Sequence, residues 1–176
     1  MGWNRMSKIG ISLCLCFLII AGFASCTISY KFNGASIDYS QVKSISIKDF
    51  PNMASLVYPP LSQQFTEELK DKYIRQTRLQ VLRENGTLDL EGEITGYDLQ
   101  SQAPKDDGFD SDTRLTITIR VRYANQVNPE DDFEQSFSAY RMFPSTRMIQ
   151  DVQDELCGEI IKEIVEQIYN ATVANW

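Results

Sequence analysis

Residues Thr113 to Tyr123 read TRLTITIRVRY and carry the clearest structural pattern in this 176-residue chain. Apolar side chains occupy every second position, and threonines or arginines occupy the positions between them. A period of two residues is that of a β-strand with one face buried and the other in water. The stretch therefore predicts a central strand whose core face consists of Leu115, Ile117, Ile119, Val121 and Tyr123.

Two stretches that follow the same alternation lie nearest to this strand along the chain. Leu88 to Leu99 alternates as far as Gly96, where the apolar side chains shift by one position. A single-residue shift with glycine at the junction predicts a β-bulge. After a turn at Asn128-Pro129, Phe133 to Phe143 alternates again, with Phe133, Phe137 and Ala139 on the inner face.

The first half of the chain adds two further strand predictions. Val42 to Phe50 places Ile45 and Ile47 on one face and stops at Pro51. Leu79 to Leu82 predicts a short edge strand, because Asn85-Gly86 follows it as a turn signal.

Two stretches show the period of amphipathic helices. After Pro59-Pro60, apolar residues recur every four positions from Leu61 to Tyr73, which predicts a helix of about five turns. Arg147 to Thr172 forms a second, longer helical pattern with an acidic outer face. The order strand, helix, strands, helix predicts an α+β two-layer sandwich, in which two helices cover one face of an antiparallel or mixed sheet of four to five strands.

The N-terminus carries a secretory signal. Arg5 and Lys8 precede an apolar run from Ile9 to Phe23, which is shorter than the roughly 20 residues of a membrane-spanning helix. The run ends in Phe23-Ala24-Ser25-Cys26, which resembles the lipobox of bacterial lipoproteins. We expect residues 1–25 to be removed, residues 26–41 to form a lipidated N-terminal segment, and residues 42–176 to form a single α+β domain.

Acylation of Cys26 would hold the protein at a bilayer, because each buried methylene contributes about 0.8 kcal/mol. An Asp directly after the acylated cysteine commonly retains lipoproteins in the inner membrane, and here Cys26 is followed by Thr27 instead. By resemblance, this predicts lipid anchoring, palmitate included, in the outer membrane on its periplasmic side. An ordinary signal peptide with a chance cysteine is the alternative.

The composition excludes several classes of function. All 24 acidic residues but only 15 of the 17 basic ones lie beyond residue 25, so the mature side chains carry about −9, which argues against nucleic acid as a partner. Cys157 would be the one cysteine besides Cys26 in the mature chain, so no disulfide is expected there. The chain has no histidine and no nucleophile or phosphate-loop motif. We therefore predict no enzyme, no cofactor and no metal site, with the aspartates of residues 101–112 forming a solvated loop.

Arg114, Arg120 and Arg122 share the outward face of the predicted central strand. Three guanidinium groups on one face could bind phosphate or carboxylate groups. The alternative is cross-strand ion pairing, in which Glu93 lies opposite Arg120 and Glu91 opposite Arg122. Arg114, at the strand end, would remain the freest of the three.

The mature chain as a whole resembles the LptE family of lipopolysaccharide-assembly lipoproteins. The resemblance lies in the lipobox followed by Tyr30-Lys-Phe-Asn-Gly34, and in the strings SISIKDFPN, YPPLSQQF, LDLEGEITGY, DFEQSFSAY and DVQDELCGEIIKEIVEQIYNATVANW. It implies a periplasm-facing outer-membrane lipoprotein that plugs the lumen of a large LptD-like β-barrel and assists its assembly. It also implies lipopolysaccharide binding by basic residues near strand ends, for which Arg114, Arg120 and Arg122 are the candidates.

Two other classes of function remain open. One is an accessory lipoprotein or lipid carrier of another cell-envelope transport complex, which would have a deep apolar cavity between sheet and helices. The other is a lipid hydrolase that uses carboxylates alone.

Overall fold

The computed structural model describes residues 37–102 and 111–173 of the protein. In these residues the strands and helices follow one another as β1 (Ser44–Ile47), α1 (Leu61–Gln76), β2 (Gln80–Leu82), β3 (Leu88–Ser101), β4 (Asp112–Asn125), β5 (Phe133–Pro144) and α2 (Gln153–Thr172). The predicted signal sequence, the lipobox at Cys26 and the aspartates Asp106, Asp107 and Asp110 lie outside the described residues.

The five strands form one mixed sheet in the order β2-β1-β3-β4-β5. β1 runs parallel to both of its neighbours, whereas β3, β4 and β5 pair antiparallel. The predicted α+β sandwich of two helices and a four- to five-stranded sheet is confirmed. The prediction that β4 is the central strand is wrong, because β1 and β2 both add to the far side of β3 and so leave β3 in the middle.

The register of β3 against β4 is the one that cross-strand ion pairing requires. Glu91 lies opposite Arg122, and Glu93 lies opposite Arg120. The predicted bulge is confirmed, since the register shifts by one residue between Ile94 and Gly96. The shift returns Tyr97 to the buried face.

The connection from β2 to β3 crosses β1. β1 lies between these two strands, and residues 83–87 pass over it on the face that carries Ser44 and Ser46. The Ser46 hydroxyl accepts from the Gly86 backbone N–H at 3.2 Å, and the Ser44 hydroxyl accepts from Thr87 N–H at 3.0 Å. A Cβ at Gly86 would lie 2.3 Å from the Ser46 nitrogen, so this close crossing requires glycine. The turn signal at Asn85-Gly86 thus marks a crossing over a strand, with Asn85 at φ 58°.

Both helices pack an apolar stripe onto the sheet. In α1 the residues Leu61, Phe65, Leu69 and Tyr73 are fully buried, and Phe65 meets Phe50 edge-on with ring centroids 5.0 Å apart. α2 begins at Gln153, six residues later than predicted, because residues Ile149–Asp151 form a 3-10 turn. Its buried side chains are Cys157, Ile160, Ile161, Ile164, Val165 and Ile168.

The helices within residues 37–102 and 111–173 are too short or too polar to cross a bilayer.

Candidate functional site: the open face of the sheet

The face of the sheet that the helices leave uncovered carries most of the polar groups that the sequence singles out. We call this surface the open face. Its side chains alternate with the buried ones along each strand, so strand geometry alone places them there. The open face is built mainly by Lys48, which follows β1, by Glu91 and Glu93 of β3, by Arg114, Arg120 and Arg122 of β4, and by Glu134, Tyr140 and Met142 of β5.

The middle of the open face is a shallow pocket of about 450 Å³ with alternating charges. Glu91 accepts from Lys48 Nζ at 2.5 Å and lies 3.4 Å from Arg122 Nη1. The hydrogen bond from Lys48 lowers the pKa of the Glu91 carboxyl, and the same contact raises the pKa of Lys48. Glu91 is therefore a shared, ionised acceptor between two cations.

The positive charge of Arg120 also lies beside carboxylates. Its guanidinium pairs with Glu93, and its Nε lies 4.0 Å from Glu134 Oε1 on the opposite strand. The hydrogen bond to Glu93 raises the pKa of Arg120. The cross-strand ion pairs predicted for Arg120 and Arg122 are thus present in the structure.

Arg114 differs from the other two arginines. It has no ion pair with a described carboxylate, and its guanidinium carbon stacks 4.5 Å from the centre of the Tyr140 ring. The Arg114 Nε is buried and has no hydrogen-bond partner among the described residues. Met142 lies opposite it in the register, and both Tyr140 and Met142 are exposed. Arg114 therefore offers a cation with unused donors beside an apolar surface, which suits an anionic amphiphile.

The sequence alone did not single out Tyr140 and Met142. The sequence does show which face they occupy, because they alternate with Phe137 and Ala139 along β5 and so lie on the opposite face of the strand. The alternation predicted that these side chains face solvent, and it gave no indication that Tyr140 would stack against the guanidinium of Arg114, which is 26 residues earlier in the chain. The pairing of Thr116 with Tyr140 and of Arg114 with Met142 is what brings them together.

Cys157 has no reactive environment. Its side chain is fully buried in α2, and burial raises the pKa of the thiol to about 11, so the thiolate is scarce at neutral pH. Across the described part of the chain, no group of three His, Cys, Asp or Glu residues is placed to hold a metal ion.

The family to which the chain belongs is shown by a family model that matches most of the described residues. The family model LptE, described as lipopolysaccharide-assembly, matches residues 42–172. The chain belongs to the LptE family. The match begins two residues before β1 and ends at the last residue of α2, so it covers every strand and helix of the sandwich. No protein of curated function matches the chain significantly.

Several solved structures are similar to this LptE-family chain at low identity. Rare lipoprotein B from Shewanella oneidensis is 11% identical over 75% of this chain and 95% of its own, with a TM-score of 0.49. A minor lipoprotein from Acinetobacter baumannii is 15% identical over 73% of this chain and 94% of its own, with a TM-score of 0.47. PelC from Paraburkholderia phytofirmans, a dodecamer, is 10% identical over 74% of this chain and 93% of its own, with a TM-score of 0.41.

Proposed function

We propose that this protein is an acylated outer-membrane lipoprotein that occupies the lumen of a lipopolysaccharide-transporting, LptD-like β-barrel and supports the assembly of that barrel. The observation that carries the proposal is the family match, which spans residues 42–172 and bears the description lipopolysaccharide-assembly. In this proposal residues 1–25 are a signal peptide, Cys26 carries the acyl chains, and the domain from residue 42 faces the periplasm.

The packing of the interior favours a plug over a lipid carrier. The space between sheet and helices is filled by side chains with no exposed surface, among them Ile45, Leu90 and Ile117 from the sheet and Phe65, Leu69 and Ile164 from the helices. A carrier needs an apolar cavity at this place to hold acyl chains. A domain of about 150 residues has a radius of gyration near 15 Å, which suits the plugged lumen of a large barrel.

The open face supplies the contact with lipopolysaccharide in this proposal. Arg120 and Arg122 are engaged with carboxylates, so Arg114 is the residue that we assign to a phosphate group of the glycolipid. Tyr140 holds the guanidinium in place from beneath, and Met142 lies beside it for an apolar part of the same molecule.

Affinity purification from native membranes tests the proposal. A tag at the C-terminus should recover a large outer-membrane barrel in equal amount with the protein. The Cys26→Ala variant, purified in parallel, should recover less of the barrel because it is not held at the membrane. Recovery of inner-membrane transporter subunits in place of the barrel would overturn the plug and favour an accessory role.

A further inference from the structure

The β2 side of the domain, beside which the described chain begins, carries its own group of charges. Lys43, Arg78 and Arg83 are exposed there, and none of them has an ion pair with another described residue. Most other cations of the described chain, such as Lys48, Lys72 and Arg141, are paired with carboxylates. In so acidic a chain, three uncompensated cations in one region call for a physical explanation.

The topology brings these three residues together. β1 and β2 run parallel with Ser44 opposite Gln80, and the Lys43 carbonyl accepts from the Gln80 N–H at 2.9 Å. Arg78 lies in the short link that leads from α1 into β2, and Arg83 directly follows β2. All three cations therefore flank the β2 edge of the sheet. We call this group the basic edge.

Two exposed apolar side chains lie at the same end of the domain. Tyr39, 41% exposed, belongs to the turn that leads into β1. Ile74, 58% exposed, belongs to the last turn of α1, which runs back to the start of β2. A tyrosine and an aliphatic side chain beside cations form the combination that sits at a membrane–water interface.

Two carboxylates, Asp38 and Glu84, lie nearest in sequence to the three cations of the basic edge, so the positive charges there outnumber the negative ones by one. Asp38 accepts hydrogen bonds from Ser40 and Gln41 within its own turn. Asp131 and Asp132 lie on the far side, between β4 and β5, and accept from Asn125. Glu84, next to Arg83, is the carboxylate closest in sequence to the basic edge. The end of the domain is thus cationic at β2 and anionic toward β5.

We propose that the basic edge contacts the anionic phospholipid surface of the leaflet that holds the acyl chains, and so fixes the orientation of the domain on that membrane before it enters the barrel. The proposal rests on the acylation of Cys26 within the proposed function. Cys26 is eleven residues from Ile37, and eleven residues span at most about 40 Å, so the anchor keeps this end near the leaflet. Acyl chains combined with a basic patch are a recognised pair of membrane-binding signals. The acidic far side would be repelled, which orients β2 toward the lipid and β5 away from it.

A second reading of the same cations is protection of an edge strand. Lysine and arginine at the edge of a sheet prevent its pairing with another chain. That reading predicts self-association when the cations are lost and no dependence on lipid charge.

Energy transfer from the domain to labelled lipid headgroups distinguishes the two readings. The full-length mature protein, purified from native membranes, is reconstituted into phosphatidylcholine vesicles with or without phosphatidylglycerol. A donor dye is attached to Gln76→Cys beside the basic edge, or to Met148→Cys, a 71% exposed position at the opposite end. Cys157 is buried, so it does not take the dye.

We expect transfer from position 76 to rise at least twofold when phosphatidylglycerol is added, and to return to the neutral-vesicle level in half-molar salt. The K43E/R78E variant should lose this rise. The matched variant K70E/R147E, which reverses one lysine and one arginine away from both the basic edge and the dye at position 76, should keep it. Position 148 should show no rise in either lipid.

Three outcomes would overturn the proposal. If energy transfer from position 76 does not change when phosphatidylglycerol is added, the lipidated N-terminal segment alone sets the distance between the domain and the lipid headgroups. An equal loss in both double variants would show that net charge, and not the basic edge, is responsible. A K43E/R78E protein that self-associates on gel filtration while its transfer is unchanged would assign the cations to edge protection. Protein that fails to float with the vesicles at all would instead refute the acylation, and with it the proposed function.

Discussion

Arg141, on the edge strand β5, donates from Nε to Oε2 of Glu159 in helix α2 at a distance of 2.7 Å. It also donates from Nη1 to Glu163, one turn further along the same helix, at 2.7 Å. The outermost strand of the sheet is therefore fastened to the helix that covers it. These hydrogen bonds raise the pKa of Arg141, which stays charged at any pH of interest.

A double-mutant cycle should detect this connection. Arg141→Gln is expected to lower the free energy of unfolding by about 1 kcal/mol, and its coupling with Glu159→Gln should be about 0.5–1 kcal/mol, because the pair is partly screened by water. The exposed pair Arg75–Asp71, within α1, is the control and should couple by only about 0.3–0.5 kcal/mol. Urea denaturation measures both cycles. A coupling at Arg141 no larger than that of the control would contradict the prediction.

A methyl group at Gly92 should strongly destabilise the sheet. A Cβ at this position would lie 2.1 Å from the Arg120 carbonyl oxygen and 2.6 Å from the Phe50 ring, so strand or ring must move. We expect Gly92→Ala to lower the free energy of unfolding by about 2–3 kcal/mol. Gly158→Ala is the matched control, because nothing lies within 4 Å of its added Cβ and α2 gains up to about 1 kcal/mol. Equal effects of the two changes would refute the close contact at Gly92.

The pairing of β3 with β4 was predictable because these strands are neighbours in sequence. Gly96 fixed the bulge, and once the bulge was placed, the register of Glu93 with Arg120 followed from charge. The order of the other strands was not predictable in this way. Alternation tells which face a residue occupies, but not which strand lies beside it. The insertion of β1 between β2 and β3 depends on Gly86 and on the Ser44 and Ser46 hydroxyls. In the sequence, the two serines look like ordinary solvent-facing residues of a strand.

Part of the candidate site was also predictable from the alternation and from the pairing of neighbouring strands. The outward parity of Arg114, Arg120 and Arg122 followed from the strand pattern, and the two ion pairs followed from the register. The stacking of Arg114 on Tyr140 required knowledge of the pairing between β4 and β5, since the two residues are far apart in the chain.

Stability should fall at alkaline pH. Burial, followed by the hydrogen bond to Asp154, raises the pKa of Tyr58 from 10 to about 12. A group whose pKa is raised in the folded state contributes stability that is complete below its unfolded pKa and is lost as the pH rises toward the folded value. Between pH 10 and 12 we therefore expect the Tyr58 contribution, about 1–3 kcal/mol, to disappear.

Burial also raises the pKa values of Tyr73, Tyr97 and Tyr123, so they add to the alkaline loss. Tyr58→Phe should make the decline in unfolding free energy above pH 10 shallower. Tyr39→Phe changes an exposed tyrosine and is the control. Urea titrations at a series of pH values measure the slopes, and identical slopes in the two variants would count against the role of Tyr58.

Arg114 and Arg120 should respond in opposite ways to removal of their charge. Arg114→Gln is expected to weaken lipopolysaccharide binding about tenfold, as for the loss of a charge-assisted hydrogen bond, with little change in melting temperature. Arg120→Gln should cost about 0.5 kcal/mol of stability through the lost pairing with Glu93 and leave binding intact. Binding to immobilised lipopolysaccharide and thermal unfolding give the two readouts. The reverse assignment would place the ligand at the centre of the open face.

Cys26→Ala should abolish membrane anchoring. We expect the variant to remain unprocessed or to appear as a soluble periplasmic protein, because the thiol that receives the lipid is absent. Membrane fractionation and electrophoretic mobility report the change. Cys157→Ala is the control, since the buried thiol is not accessible to an acyl transferase, and it should fractionate as the unaltered protein does. If Cys26→Ala fractionates and migrates like the unaltered protein, the lipoprotein interpretation is wrong.

The place of β1 also sets the order in which the sheet can assemble. Among the described strands β1 comes first in the chain, yet its partners follow 36 residues later at Gln80, opposite Ser44, and 43 residues later at Leu88, opposite Ile45. Both closures bring together residues that are distant in the chain, and such contacts form slowly. In the proposed export β1 would therefore stay unpaired at least until β2 emerges, and its second edge would stay open until β3 emerges. If the chain folds as it emerges, β1 is thus the described strand whose hydrogen-bonding edges stay open longest.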